Sequence, residues 1–122
     1  MKRAATIGVA VTLLASGCTS PAPQDVLAGL EPPVACAEQP REHRDGGVWA
    51  CLAGDAGLSI QDEPDNLDVY FAVGLDSGLI SLWHEQQGWV AATSDAQVAE
   101  QVADQTDAII VDQATFRDRF LD

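Results

Sequence analysis

Residues 67–93 contain apolar runs separated by two short loops that each end in glycine, and this pattern constrains the fold most. The runs are rich in β-branched and aromatic side chains, which favour strands. Glycine at the end of a three-residue loop is typical of a hairpin, because it adopts the left-handed backbone conformation easily. The sequence therefore predicts an antiparallel β-meander over about 67–93, with strands at 68–75, 79–85 and 89–93 and loops at 76–78 and 86–88.

The loop lengths also predict which residues lie opposite each other in the meander. A three-residue loop at 86–88 pairs Glu85 with Trp89, so His84 faces Val90. On the same basis Tyr70 lies next to His84. We interpret Trp89, which we expect to be exposed, and the partly apolar meander face that carries Tyr70 and His84 as the candidate protein-binding patch, since exposed apolar patches mark such sites.

The segments on either side of the meander predict an α+β fold. Short apolar runs at 48–52 and 58–60 indicate strands before it. Downstream, Ser94 and Gln97 form a capping box that starts a helix running to about residue 105. A strand at 107–111 follows, and Asp112 caps a short C-terminal helix. We expect a single small domain, with an irregular N-terminal region before the meander.

The first 18 residues have the organisation of a secretory signal. Two basic residues precede an uncharged run over 4–17, which is shorter than the about 20 residues that span a bilayer. Small residues then lead to a cysteine. The segment resembles the signal of bacterial lipoproteins, since three of its last four residues fit their lipobox and Ala15 stands where leucine is commonest; these are Ala15, Ser16, Gly17 and Cys18.

The resemblance implies that Cys18 becomes the mature N-terminus and carries lipid, including acyl chains such as palmitate. Residues 1–17 would be removed, 18–33 would form a flexible, proline-containing tether, and 34–122 would form one acidic domain. More than one acyl chain gives stable attachment. The expected location is the cell membrane or outer membrane, facing the periplasm or the exterior.

Lipidation of Cys18 leaves an even pair of cysteines, Cys36 and Cys51. Exported compartments are oxidising, so we predict a disulfide between them. Closing a loop of this length stabilises a small domain by about 3 kcal/mol. A redox pair and a metal site are the alternatives, although the spacing is not that of a Cys-x-x-Cys motif.

The charge of the mature chain is strongly acidic. The signal removes two of the six basic residues, which leaves four arginines against 19 acidic residues and a formal net charge of −15. This charge excludes nucleic-acid binding, which needs a basic surface. It is compatible with a basic partner. The run 62–68 holds four acidic residues and an asparagine; we expect a solvated turn there, with weak cation binding as the alternative.

No catalytic motif is recognisable, and no catalytic residue, metal ligand or cofactor is predicted. We expect a lipid-anchored, non-enzymatic interaction, accessory or inhibitor module with an envelope protein partner. A binding domain for a small ligand or cation is the second hypothesis. A hydrolase is the third, for which His84 and Glu85 are the candidate pair, although neighbours on a strand point to opposite faces.

Overall fold

A six-stranded antiparallel sheet organises the residues that the computed structural model describes, 21–43 and 47–121. The strand order is β1-β2-β3-β5-β4-β6. The α+β fold class, the strands around 48–52 and 58–60, and the last two strands of the predicted meander are confirmed. The strands are β1 (Arg41–Glu42), β2 (Val48–Ala53), β3 (Ala56–Asp62), β4 (Ile80–His84), β5 (Trp89–Thr93) and β6 (Ile109–Val111).

Helices pack on both faces of the sheet, but only one face is covered across the strands from β2 to β6. On the first, here called the covered face, Leu58, Ile60 and Leu82 pack with residues of two helices. On the second, the half-open face, Trp83 and Val90 pack with residues of the other two. The helices are α1 (Pro23–Ala28) and α3 (Ala96–Thr106) on the covered face, and α2 (Leu67–Ser77) and α4 (Gln113–Phe120) on the half-open face.

The predicted strand at 68–75 is wrong, because these residues belong to helix α2. Gly78 adopts φ +78°, but it ends the helix instead of turning a hairpin. Its N–H donates to Leu75 O, and the next N–H, from Leu79, donates to Gly74 O at 2.9 Å. This pattern is a Schellman cap, which requires the same left-handed glycine as the hairpin loop. Glycine at this position is therefore compatible with both structures.

The register of the β4–β5 hairpin differs from the prediction by one residue. His84, not Glu85, pairs with Trp89, and Trp83 pairs with Val90. Residues 85–88 thus form a four-residue turn, closed by a hydrogen bond from Gly88 N to His84 O at 2.8 Å. A shift of one residue exchanges the faces on which side chains lie, so Trp89 and His84 both face the covered side.

Helix α3 and the C-terminal helix are confirmed, with one change of cap. Asp95, not Ser94, caps α3, and its carboxylate accepts hydrogen bonds from Gln97 N and Val98 N. Asp112 caps α4 as predicted, by accepting a hydrogen bond from Thr115 N at 2.8 Å. In each helix a side-chain oxygen satisfies an N–H of the first turn that has no partner inside the helix.

Folded structure begins before the predicted boundary at Val34. Helix α1 lies inside the segment predicted to be a flexible tether, and Leu27 and Leu30 are buried in the core under the covered face. The backbone N–H of Glu31 donates to Gln105 Oε1 at 2.8 Å, and Gln105 Nε2 donates back to Glu31 O at 3.0 Å. Apolar burial and these reciprocal bonds fix the segment to α3.

Candidate functional site

A groove lies on the half of the half-open face that α2 and α4 leave uncovered. In the register of the sheet, Ser59 pairs with Ala50 on one side and with Ala92 on the other, so these three side chains share a face. Gly57 pairs with Leu52 in the same way. The groove floor is defined by these residues of β2, β3 and β5: Ala50, Leu52, Gly57, Ser59 and Ala92. It encloses about 650 Å³.

Small side chains on three adjacent strands give the groove its depth. Leu52 is the largest side chain of the floor, and it is 57% exposed. On the packed half of the same face, Trp83 and Val90 instead fill the space below α2 and α4. An exposed leucine on a floor of small residues leaves apolar surface in water, which favours binding of an apolar group.

The segment 37–43 forms one wall of the groove along the outer edge of β2. A disulfide between Cys36 and Cys51 attaches the start of this segment to the strand, as predicted from the sequence. Ala37 N then donates to Leu52 O at 2.8 Å, and His43 N donates to Val48 O at 2.7 Å. The wall is thus fastened at both ends. Leu79 and Ser94 line the opposite side of the groove.

The groove rim carries charges of both signs. Arg41 and His43 lie on the wall beside Glu38. Arg41 Nη2 is 3.8 Å from Glu38 Oε1, and both side chains are more than 80% exposed. An ion pair this long and this exposed contributes little to stability. Both groups therefore remain accessible to a bound molecule, and a polar rim around an apolar floor is the usual anatomy of a protein interface.

The three residues predicted to form an interface patch are not brought together on an open surface. Trp89 is 1% exposed, so it is a core residue and not a surface anchor. Its indole N–H donates to Gln87 Oε1 at 2.9 Å. His84 is 8% exposed, and its ring lies 5.4 Å from that of Trp89. His84 Nδ1 accepts a hydrogen bond from Gln87 N, so the imidazole fastens the turn 85–88.

Tyr70 lies on the other side of the sheet from His84. It projects from α2 into an aromatic cluster with Phe71, whose ring centroid is 5.4 Å away. Burial raises the pKa of Tyr70 to about 12, because the charged phenolate is poorly solvated there. The meander patch of Trp89, Tyr70 and His84 is therefore not formed.

A second group of polar residues lies at the edge of the aromatic cluster. These residues pair with one another or with Trp83 of the cluster. Trp83 Nε1 donates to Glu63 Oε2 at 2.7 Å. The Arg119 guanidinium lies 5.0 Å from the Trp83 ring centroid and pairs with Glu85 at 2.9 Å. This arrangement uses one acidic residue of the run 62–68, Glu63, as a structural acceptor. It also places Glu85 away from His84, which is engaged with the turn.

Cys18 lies outside the described residues. Within the described ranges, no cluster of three or more His, Cys, Asp or Glu side chains is arranged to hold a metal ion. No helix in that part of the chain combines the length and the apolar character needed to cross a bilayer.

Comparison of the chain with protein-family models, with curated proteins and with solved structures finds no match. The chemistry of the groove is therefore inferred from the positions of its own residues. Sequence reasoning missed it because its floor residues are mostly small and give no individual signal. One signal was available. In β2 the alternate residues Trp49 and Cys51 pack against the core, so Leu52 lies on the opposite, exposed face, where a leucine is unusual.

Proposed function

We propose that this protein is a membrane-anchored lipoprotein of the cell envelope whose domain is a non-enzymatic binding module. In this proposal the groove holds an apolar segment of a basic envelope protein. The observation that carries the proposal is the groove floor, an apolar surface of three strands that no described helix covers.

The shape of the floor supports a chain segment as the occupant. The floor crosses β2, β3 and β5, and its central residues, Gly57 and Ser59, present little bulk. An apolar side chain placed over them would bury Leu52 and itself, at about 25 cal/mol for each Å² removed from water. The polar wall at Glu38 and Arg41 would then contact the polar flanks of the segment.

The charge of the chain supports a basic partner. A mature chain with four arginines and 19 acidic residues produces a negative potential around the whole domain. Such a field raises the rate of encounter with a positively charged protein and opposes encounter with an acidic one. It also opposes self-association of the domain through the groove, because two copies would each carry a formal charge of −15.

A small apolar ligand is the second candidate occupant. It is favoured by the groove volume of about 650 Å³, which falls within the range of about 300–1,000 Å³ typical of small-molecule sites.

Site-specific photo-cross-linking in the native envelope tests the proposal. A photoreactive residue in place of Leu52 should give a discrete protein adduct, identified by mass spectrometry. The same residue in place of Val73 is a matched control, because Val73 is 58% exposed on the outer side of α2 and lies outside the groove. The same adduct from both positions, or none from Leu52, would exclude the groove as the protein-binding surface.

Binding of the identified partner to purified variants then measures the contribution of the floor. Leu52→Asp should weaken binding at least about tenfold, because it places a charge in the apolar contact. Val73→Asp should leave binding unchanged, and raising the salt concentration should weaken it. A partner that is acidic, or that binds equally well to both variants, would contradict the proposal.

The anchor is tested separately. Cys18→Ala should leave unprocessed precursor or soluble protein, detected by detergent partitioning. Mature mutant protein that still partitions with membranes would exclude lipid attachment at Cys18.

A further inference from the structure

The N-terminal end of the described chain lies at one end of the domain, on the covered side. Pro21 borders a depression formed with Asp25 of α1, Gln87 of the β4–β5 turn and Gln105 of α3. Only Thr19 and Ser20 separate Pro21 from Cys18 in the sequence. Three residue steps span at most about 10 Å even when fully extended.

This end cannot move away from the rest of the domain without loss of core packing. Leu27 is 1% exposed and Leu30 is 6% exposed, and both pack in the core. Unpacking them would expose both leucine side chains to water, which is unfavourable, and would break the bonds between Glu31 and Gln105. A lipid on Cys18 would therefore hold the α1 end of the folded domain close to the headgroups.

The groove lies on the other face of the sheet and toward the other end of the hairpin. Its floor residue Ser59 alternates with Leu58 and Ile60, which point to the covered face and pack with α1. Leu79 and Ser94, which line the groove, adjoin the ends of β4 and β5 opposite to the turn that carries Gln87. The sheet itself thus separates the groove from Pro21.

We infer that the anchored domain rests with its α1 end against the bilayer and opens its groove away from it. The occupant then approaches from the aqueous side, which fits a segment of another protein and not a lipid of the anchoring membrane. This inference rests on the proposed lipidation of Cys18.

Headgroup quenching measures the orientation directly. Lipidated protein is placed in phosphatidylcholine vesicles that contain nitroxide-headgroup lipid, with a fluorescent residue in place of Gln24 in one variant and of Leu52 in another. Both positions are exposed. Fluorescence at position 24 should be quenched strongly, and fluorescence at position 52 should be nearly unaffected. Equal quenching, or stronger quenching at 52, would overturn the inference.

Two controls separate the reasons for failure. Mass spectrometry and vesicle flotation come first, and a chain without lipid would refute the anchor and thus the proposed function itself. In the second control, about 12 glycine and serine residues inserted before Pro21 extend the tether by about 20 Å on average. The difference between the two positions should then disappear, and its persistence would show that the short tether does not set the orientation.

A third arm tests the occupant. Nitroxides on the acyl chains should not quench a fluorophore at position 52. If they do, a bilayer lipid enters the groove, and the inference is wrong.

Discussion

Gly74 in α2 and Ser81 in β4 form a close contact that yields a sharp prediction of stability. A Cβ added to Gly74 would lie 2.8 Å from Ser81 Oγ, closer than such contacts normally allow. Ser81 is 2% exposed, and its Oγ has no hydrogen-bond partner among the described residues. The hydroxyl therefore occupies space at the helix–sheet contact without an internal bond to offset its loss of water.

Two opposing effects determine the outcome of Gly74→Ala. Alanine stabilises a helix interior by about 1 kcal/mol relative to glycine, whereas overpacking a filled contact costs about 1–3 kcal/mol. We expect a net destabilisation of about 1 kcal/mol, which lowers the melting temperature of a domain of this size by about 4–8 °C. Ser81→Ala should instead stabilise the fold by about 1 kcal/mol, because it removes a buried hydroxyl without a partner.

The double variant separates the contact from the helix preference. In the Ser81→Ala background the methyl group added at position 74 meets no hydroxyl, so Gly74→Ala should now stabilise by about 1 kcal/mol. The effect of Gly74→Ala therefore changes sign between the two backgrounds, with a coupling energy of about 2 kcal/mol.

Urea unfolding followed by tryptophan fluorescence measures these differences, because Trp83 belongs to the cluster beneath α2. Ser77→Ala, at an exposed position of the same helix, controls for the change from serine to alanine. Equal destabilisation by Gly74→Ala in both backgrounds would show that Ser81 Oγ is not the group that resists the methyl. A stabilising effect in the wild-type background would refute the close approach of α2 to β4.

The remaining predictions concern the disulfide and two titrating groups. Replacing both Cys36 and Cys51 by alanine should lower the free energy of unfolding by about 3 kcal/mol, measured by urea titration; an unchanged midpoint would refute this contribution. Tyr70, the only tyrosine in the chain, should ionise in one step near pH 12, followed by phenolate absorbance. Because its pKa is raised in the fold, the stability it contributes is complete below about pH 10 and is lost as the pH rises through 12; ionisation near 10 in folded protein would contradict this. The hydrogen bond from Thr115 N holds the pKa of Asp112 below its ordinary value, so Asp112→Ala should destabilise α4 at neutral pH. That difference should disappear as the pH falls through the lowered pKa, and a difference that persists in acid would show that the carboxylate charge is not responsible.

Elements whose sequence pattern has one physical interpretation could be predicted. Helix α3 buries Val98, Ala99 and Val102 on one face and is polar elsewhere, so its periodicity indicates a helix clearly. Strand β5, which precedes α3 in the sequence, is short and apolar and follows Gly88. The disulfide was predicted from the expected exported location and from the even number of cysteines that remain after lipidation of Cys18, and the structure contains it. The signals for α3 and β5 are local, and tertiary contacts did not override them.

Helix α2 could not be predicted in the same way, because apolar residues occur on both of its sides. Phe71 and Gly74 face the sheet at helical spacing, but Val69 and Val73 are apolar and exposed on the outer side. A helix with β-branched residues on its solvent side gives a weak periodic signal. Gly78 did not resolve the ambiguity, since a hairpin and a Schellman cap both require a left-handed glycine.

The helical state of α2 is also what leaves the groove open. As a strand beside β4 this segment would have extended the sheet, but β4 already has β5 and β6 as its neighbours. Helix α2 instead packs with α4 over Trp83 and Val90, while α1 and α3 cover the opposite face. No described helix remains over β2 and β3 on the half-open face.

The side chains on this uncovered area distinguish a binding surface from an ordinary solvated one. A sheet face exposed to water normally carries polar residues in alternation with the core. On the half-open face, β2 instead presents Ala50 and Leu52, and β5 presents Ala92. The surface is more apolar than solvation requires, and its mostly small side chains leave a groove above the sheet. A slender apolar segment satisfies both conditions, which is why the proposed occupant is a stretch of chain with apolar side chains.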